Sequence, residues 1–318
     1  MIRRIAVVGA GHMGRHHARK VAEHRDRRGG VTLVGVADVD AARARRVARE
    51  TRSLAFGSRR DLFRTADAVI VAVPTVDHFE VVSEALGADC DVLVEKPIAA
   101  STQQAEALVE RAQRRGLVLR VGSQEWFNPA LQALRAKIQR PQFVEGHRVG
   151  PFAERAADID VVRDLMIHDL DILQRLLGQR PDHIDAVGVS VISDSIDVAN
   201  ARIVFAGGCV ASLTASRVSA LRSRRMRLFG PDRHGCVDFL ASSAAVTQRV
   251  ESRDGRGPRI AEERLAIGCD DSLARQLEAF LHELDEREPS LTRAAEALMA
   301  LQAAERVVAA MPPLRDLR

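Results

Sequence analysis

The sequence predicts a two-domain α/β protein, with a doubly wound parallel sheet at the N-terminus and a mixed α+β domain after it. Three observations carry this. Apolar runs alternate with helix-like segments over residues 1–121, the pattern of strands joined by helical crossovers. A glycine-rich turn, Gly9-Ala10-Gly11-His12-Met13-Gly14, stands between the first run and the first helix. After Val121 the runs become shorter and more nearly alternating, and Gly207-Gly208 separates two of them, which is a hairpin signal.

In order along the first domain, strands are expected at 2–8, 31–37, 68–73, 91–95 and 117–121. Several are nearly all apolar, as expected for strands covered on both faces. Helices are expected at 12–24, 41–51, 76–86 and 102–115, with Gly116 placed to end the last of these. In the second domain, strands are expected at 142–149, 184–192, 201–206, 210–215 and 226–229. A helix covers 161–177, ended by Gly178 and Pro181, and two more close the chain at 272–286 and 290–311, with Pro289 beside the second start. The boundary falls near residue 122, giving domains 1–121 and 122–318.

Composition narrows the function classes. The chain has 318 residues, 46% hydrophobic and 28% charged, enough to bury two cores. No apolar run approaches the ~20 residues that span a bilayer, and the N-terminus meets Gly9 too soon for a signal peptide. Cys90, Cys209, Cys236 and Cys269 are far apart with no Cys-x-x-Cys, so neither a disulfide framework nor a zinc site is expected, and a cytoplasmic setting is. Lys and Arg number 47 against 43 Asp and Glu. Arg43, Arg45, Arg46 and Arg49 stand among Asp38, Asp40 and Glu50, which reads as a solvated, ion-paired helix face. With 3% aromatics, no tyrosine and dispersed arginines, no nucleic-acid partner is expected.

The glycine turn has the G-x-G-x-x-G spacing directly after a strand and opening a helix. Gly9 permits the tight turn, Gly11 lets backbone approach a pyrophosphate, and Gly14 allows helix and strand to pack closely. The helix N-terminus then offers amides and a positive dipole end to the phosphates. Asp38 ends the second expected strand, 24 residues beyond Gly14, close to the ~20 expected for a ribose-binding acid. A carboxylate there accepts from ribose hydroxyls and repels a 2′-phosphate, so NAD is expected over NADP; Arg43 is the first arginine after it.

Two further groups carry chemistry. Glu95-Lys96-Pro97 closes the expected strand 91–95, at the sheet edge where ligands bind. Lysine occurs only at 20, 96 and 137, and a lysine, unlike arginine, can shift its pKa and move a proton. Asp164 and His168 are four residues apart on the expected helix, with Asp171 three residues further. An aspartate can orient an imidazole that exchanges a proton with an alcohol. The same spacing also suits a helix-stabilising pair. It would suit two metal ligands as well, but no further His or Cys completes a set, so no metal is expected.

Together Gly9-x-Gly11-x-x-Gly14, Pro74-Thr75-x-x-His78, Glu95-Lys96-Pro97 and Asp164-x-x-x-His168 resemble the Gfo/Idh/MocA oxidoreductase family. The resemblance covers essentially the whole chain in order. It implies a Rossmann domain followed by an α+β domain with a largely antiparallel open sheet that commonly mediates oligomerisation, here a dimer or tetramer. It implies hydride transfer between a sugar or polyol carbon and nicotinamide, with Lys96 at the reacting oxygen, His168 exchanging the proton and Asp164 supporting it. It also implies cofactor contacts from His12, Met13, Pro74, Thr75, His78, Glu95, Lys96 and Gln124.

Phe127-Asn128-Pro129, Gly146-His147-Arg148, Asp160-Val161-Val162 running into Asp164-Leu-Met-Ile-His168-Asp169-Leu170-Asp171, Val198-Ala-Asn-Ala-Arg202 and Ala211-Ser-Leu-Thr-Ala-Ser-Arg217 resemble, as a set, the UDP-N-acetylglucosamine 3-dehydrogenase subgroup. That subgroup oxidises the sugar ahead of an aminotransferase in lipid A diamino-sugar synthesis. The chain departs from it at Ser123-Gln124-Glu125-Trp126, where His-x-Glu-Arg is expected; Trp126 reads as a packing anchor. Arg148, Arg202 and Arg217 are arginines that could meet a diphosphate, against purely structural roles in an arginine-rich chain. The alternatives are a dehydrogenase of a free sugar or a cyclic polyol such as inositol, and a non-catalytic nucleotide-sensing regulator.

Overall fold

The computed structural model describes residues 2–152, 159–251, 258–286 and 291–312. The chain forms two compact units, Met1–Gln124 with Ser272–Leu298, and Glu125–Asp271 with Met299–Arg318.

The first unit begins β1 (Arg3–Val8), α1 (His12–Arg28), β2 (Val31–Ala37), α2 (Ala41–Thr51), β3 (Leu54–Phe56) and α3 (Arg59–Phe63). It continues β4 (Ala68–Val71), α4 (Thr75–Gly87), β5 (Asp91–Val94), α5 (Thr102–Arg115) and β6 (Leu119–Val121). The strands lie parallel in the order β3-β2-β1-β4-β5-β6, the doubly wound arrangement that opens a crevice where the order reverses. β4 and β5 are buried at every residue, which is why Ala68–Val71 and Val92–Val94 are apolar without alternation, while buried Asp91 accepts from Val118 N. Local chemistry sets the helix ends. Asp40 Oδ1 accepts from the amides of Ala42 and Arg43 at the start of α2, and Gly116 ends α5 at φ 62°. The expectation misses β3 and α3, which at three and five residues are too short for a period to register.

The second unit holds α6 (Pro129–Lys137), β7 (Phe143–Val149), a π turn (Val162–Met166), α7 (Ile167–Leu177), β8 (Pro181–Val189), β9 (Val198–Phe205) and β10 (Val210–Ser216). After these come β11 (Ser223–Phe229), β12 (Arg233–Asp238), β13 (Ser243–Val250) and β14 (Arg259–Arg264). The eight strands run β14-β13-β12-β11-β7-β10-β9-β8. Every pair is antiparallel except β7 with β10. The expected hairpin is β9–β10, with Gly208 at φ 85° in its turn. One face is covered: Val144, Ala211, Leu213, Ala201, Ile203, Met226, Leu228 and Val237 are buried. α6 explains Gly235, where a Cβ would lie 2.2 Å from Leu134 Cδ1. The expectation misses α6, which is only nine residues long, and β12, β13 and β14, in which exposed and half-buried positions outnumber buried ones and dilute the apolar signal.

α8 (Ser272–Glu286) and α9 (Leu291–Ala309) follow; the expected start of the last helix at Pro289 and Ser290 lies outside the described residues. A single boundary near 122 misses the return of α8 to the first unit. Leu277, Phe280, Leu281 and Leu284 enter the same core as Ile5, Val7, Val21 and Leu33. Buried Arg120 also pairs with Glu283. Among the described residues no helix is long and apolar enough to cross a membrane.

Candidate active site

The glycine turn is dictated by close contact at two positions and by open space at the third. Gly9 has φ +92°, and a Cβ there would lie 2.3 Å from Ala72 O. At Gly14 a Cβ would lie 1.7 Å from Gly9 O, whereas at Gly11 it would meet nothing within 4 Å. α1 starts at His12 with no side-chain cap and no acid in its first turn, so its first amides and dipole remain for an anion. The Asp38 side chain, 6% exposed, accepts from Ala10 N at 2.6 Å and Asp40 N at 2.8 Å. It thereby ties the end of β2 to the glycine turn, and Arg43 Nη1 stands 3.9 Å from it. A narrow turn, a vacant face at Gly11, uncapped amides and a carboxylate beside them together fit a dinucleotide.

At the carboxyl ends of β4 and β5, Pro74 is the N-cap of α4 and Thr75 its first residue. His78 is buried, with Nδ1 2.7 Å from Pro97 O and Nε2 3.0 Å from Val73 O. Both neighbours are carbonyl oxygens; the neutral ring carries one N–H and donates to one of them, so the imidazole sits between the two loops with both nitrogens facing protein. Burial holds His78 below the usual histidine value, against those carbonyl bonds. Glu95 lies 2.5 Å from His17 Nε2, and a Cβ on Gly122 would come within 3.2 Å of its Oε2. Burial alone would raise the Glu95 carboxyl, but the His17 bond, with Lys96 and His78 nearby, brings it below its ordinary value. Lys96 is half-buried and Gln124 is exposed in a 3-10 turn, Gln124–Phe127. Sequence reasoning passes over His17, although it falls on the buried face of α1, three residues after Gly14.

In the second unit Asp160 starts the candidate helix, its Oδ1 accepting from Val162 N and Arg163 N at 2.9 Å each. The expected single α-helix is corrected here. Asp164 lies in the π turn and His168 in α7, so four-residue spacing does not impose the α-helical face relation. A π turn inside a helix is a frequent mark of a functional site. Asp164 and His168 are both half-buried. Asp171 pairs with Arg175 at 2.7 Å, and Arg175 and Arg135 lie over the Trp126 ring at 5.7 and 4.7 Å. Trp126 is thus held as a packing anchor.

The rotation of α7 is set by Asp169. Its carboxylate takes Nε and Nη2 of Arg148 at 3.2 and 2.8 Å, while Arg148 Nη1 reaches Glu125 Oε1 at 2.8 Å. Arg148 and Asp169 side chains are each 2% exposed. Burial opposes the Arg148 charge, but Asp169 and Glu125 outweigh it and hold the guanidinium above its usual value. Gly146 leaves the room, since a Cβ there would strike Leu213 Cδ2 at 2.6 Å with Asp169 Oδ2 3.6 Å away. No local pattern links residues 125, 148 and 169, so the network is invisible in sequence.

This corrects two of the three arginines considered for a diphosphate. Arg148 is bound within the network above. Arg217 is buried, with Asp197 Oδ1 at 2.7 Å, Ile159 O at 2.8 Å and Ser193 Oγ at 2.9 Å. Arg202 stands opposite Ser212 on the uncovered face, 3.9 Å from Asp185. Among the described residues no group of three or more His, Cys, Asp or Glu could hold a metal ion.

Residues 3–123 match a family described as "Oxidoreductase family, NAD-binding Rossmann fold", and residues 131–233 match the "GFO/IDH/MocA C-terminal domain". The UDP-N-acetylglucosamine 3-dehydrogenase of Acidithiobacillus ferrooxidans is 40% identical over 287 residues, 90% of either chain. A solved structure under that name and organism superposes with a TM-score of 0.90 at 38% identity, covering 98% of both chains. The myo-inositol dehydrogenase Hyg17 of Streptomyces leeuwenhoekii is 33% identical over 198 residues, 59% of either chain. With both of its units matched, the chain belongs to the Gfo/Idh/MocA oxidoreductase family, and its glycine turn opens that family's NAD-binding domain.

Proposed function

We propose that the chain is an NAD-dependent dehydrogenase of a nucleotide sugar, oxidising UDP-N-acetylglucosamine at its C3 hydroxyl. The observation that carries this is the 40% identity across 90% of the chain to an enzyme of that name, against 33% across 59% for the myo-inositol enzyme. The product ketone suits condensation with an amine, so an aminotransferase acts next, as in lipid A diamino-sugar synthesis. The enzyme works in the cytoplasm as a homo-oligomer.

Oxidising a secondary alcohol removes a proton from oxygen and a hydride from carbon. NAD, when bound, supplies the hydride acceptor. Gly9, Gly11, His12, Met13 and Gly14 hold its pyrophosphate on the α1 amides, and Asp38 receives the adenosine ribose hydroxyls. Pro74, Thr75, Glu95 and Gln124 line the nicotinamide side, while His78 keeps the two loops in register. Lys96 binds the reacting oxygen and favours the negative charge that grows there. His168 takes the proton, and Asp164 stabilises the imidazolium that results.

Purified protein with NAD and UDP-N-acetylglucosamine should produce reduced nicotinamide, faster when hydroxylamine traps the ketone. Lys96→Arg, His168→Ala and Asp164→Asn should each lower turnover by about 100- to 10,000-fold while NAD affinity holds. Turnover of inositol or free glucose, with none of any UDP-sugar under trapping, replaces the substrate. Full activity of the three variants removes the catalytic roles.

A further inference from the structure

We propose that Arg222 and Arg224 form the anion subsite of the second unit, taking the diphosphate of the substrate; this rests on the nucleotide-sugar reading above. β11 pairs with β7 so that Arg224 lies opposite Arg148, on the covered face with Met226 and Leu228. The two arginines fare differently. Arg148 is enclosed by Asp169 and Glu125. Arg224 keeps 43% of its side chain exposed and makes one long bond, Nη1 to Glu125 Oε1 at 3.4 Å. That oxygen is already held more closely by Arg148, at 2.8 Å. The remaining Arg224 donors have no acceptor among the described residues.

Arg222 is exposed and stands by the end of β7, its Cγ 3.6 Å from where a Cβ on Gly150 would be. It too has no acceptor among the described residues. Arg222, Arg148 and Asp164 are among the charges that act on Arg224, and burial with the two like charges depresses its guanidinium below the usual value. Two guanidiniums with free donors and mutual repulsion are stabilised by a dianionic ligand, and their planar forks suit phosphate oxygens. The neighbouring carboxylate is the candidate catalytic Asp164. In a nucleotide sugar the diphosphate is attached at C1, two carbons from C3, so an anion subsite must adjoin the proton-transfer residues.

The test titrates UDP and inorganic pyrophosphate into the full-length protein in the presence of NAD, for wild type, Arg224→Lys and the double variant Arg222→Gln/Arg224→Gln. The double variant should weaken both probes by about tenfold or more. Its KM for UDP-N-acetylglucosamine should rise with little change in kcat, and Arg224→Lys should fall between. NAD affinity reports that each variant is folded. Unchanged affinity for UDP and pyrophosphate in the double variant overturns the subsite and leaves the dehydrogenase reading standing. Wild type that turns over no UDP-sugar, yet binds pyrophosphate in an arginine-dependent way, overturns that reading and keeps the subsite. Wild type that binds neither probe overturns the subsite.

Discussion

The glycine turn of the first unit and the covered face of the second sheet present charge in opposite ways. In the turn the backbone does the work: Gly9 and Gly14 have no room for a side chain because carbonyl oxygens stand at 2.3 and 1.7 Å. The α1 amides are therefore presented at a fixed place. On the covered face side chains do the work. Arg148 lies in register with Ala215 and Arg224, and its charge survives burial through Asp169 and Glu125. A backbone site constrains residue identity at fixed offsets; a side-chain network can recruit any arginine that the fold brings within reach.

The sharpest break in this comparison is at Arg148. Arg148→Met leaves Asp169 and Glu125 without their cation in a buried site, and should cost about 3–5 kcal/mol in chemical denaturation. Adding Asp169→Leu should recover part of that loss, because the stranded carboxylate is removed with it. A loss within experimental error for Arg148→Met would mean that hydrophobic packing alone sets α7.

Gly14 and Gly11 separate folding from binding within one motif. Gly14→Ala forces a methyl against the Gly9 carbonyl and should destabilise the first unit by at least about 1–3 kcal/mol, the usual cost of overpacking. Gly11→Ala meets no protein atom within 4 Å, so its stability should stay within about 0.5 kcal/mol of wild type. Its NAD affinity should still fall by about tenfold, ~1.4 kcal/mol, because the methyl intrudes on the pyrophosphate. Calorimetry on the two variants decides it; unchanged NAD binding in Gly11→Ala would place the pyrophosphate elsewhere.

The smallest expected effect is at Asp38. NAD should bind more tightly than NADP, and Asp38→Ala should narrow the gap by about tenfold through relief of charge repulsion. Some NAD affinity should go as well, since Ala10 N and Asp40 N lose their acceptor. Equal affinities in wild type would hand cofactor choice to Arg43, whose Nη1 is 3.9 Å from the carboxylate.

By itself the sequence determined the parallel sheet, the glycine turn, Asp38, the β9–β10 hairpin and the candidates Lys96, Asp164 and His168. Each rests on a local rule: apolar strands covered on both faces, glycine where backbone crowds backbone, a carboxylate at a fixed distance from a turn. Only the tertiary structure decided the return of α8 to the first core, because Leu277 and Phe280 would suit any apolar surface until β1 and α1 offer one. The same holds for the arginines. Arg148, Arg217 and Arg224 look alike in a chain rich in guanidiniums, and strand register, with the acids opposite, makes the first two internal struts and leaves Arg224 with donors to spare. The π turn at Val162–Met166 belongs with these. Its residues read as ordinary helix, and the wider turn lies between the Asp160 cap and α7, whose Asp169 pairs with Arg148.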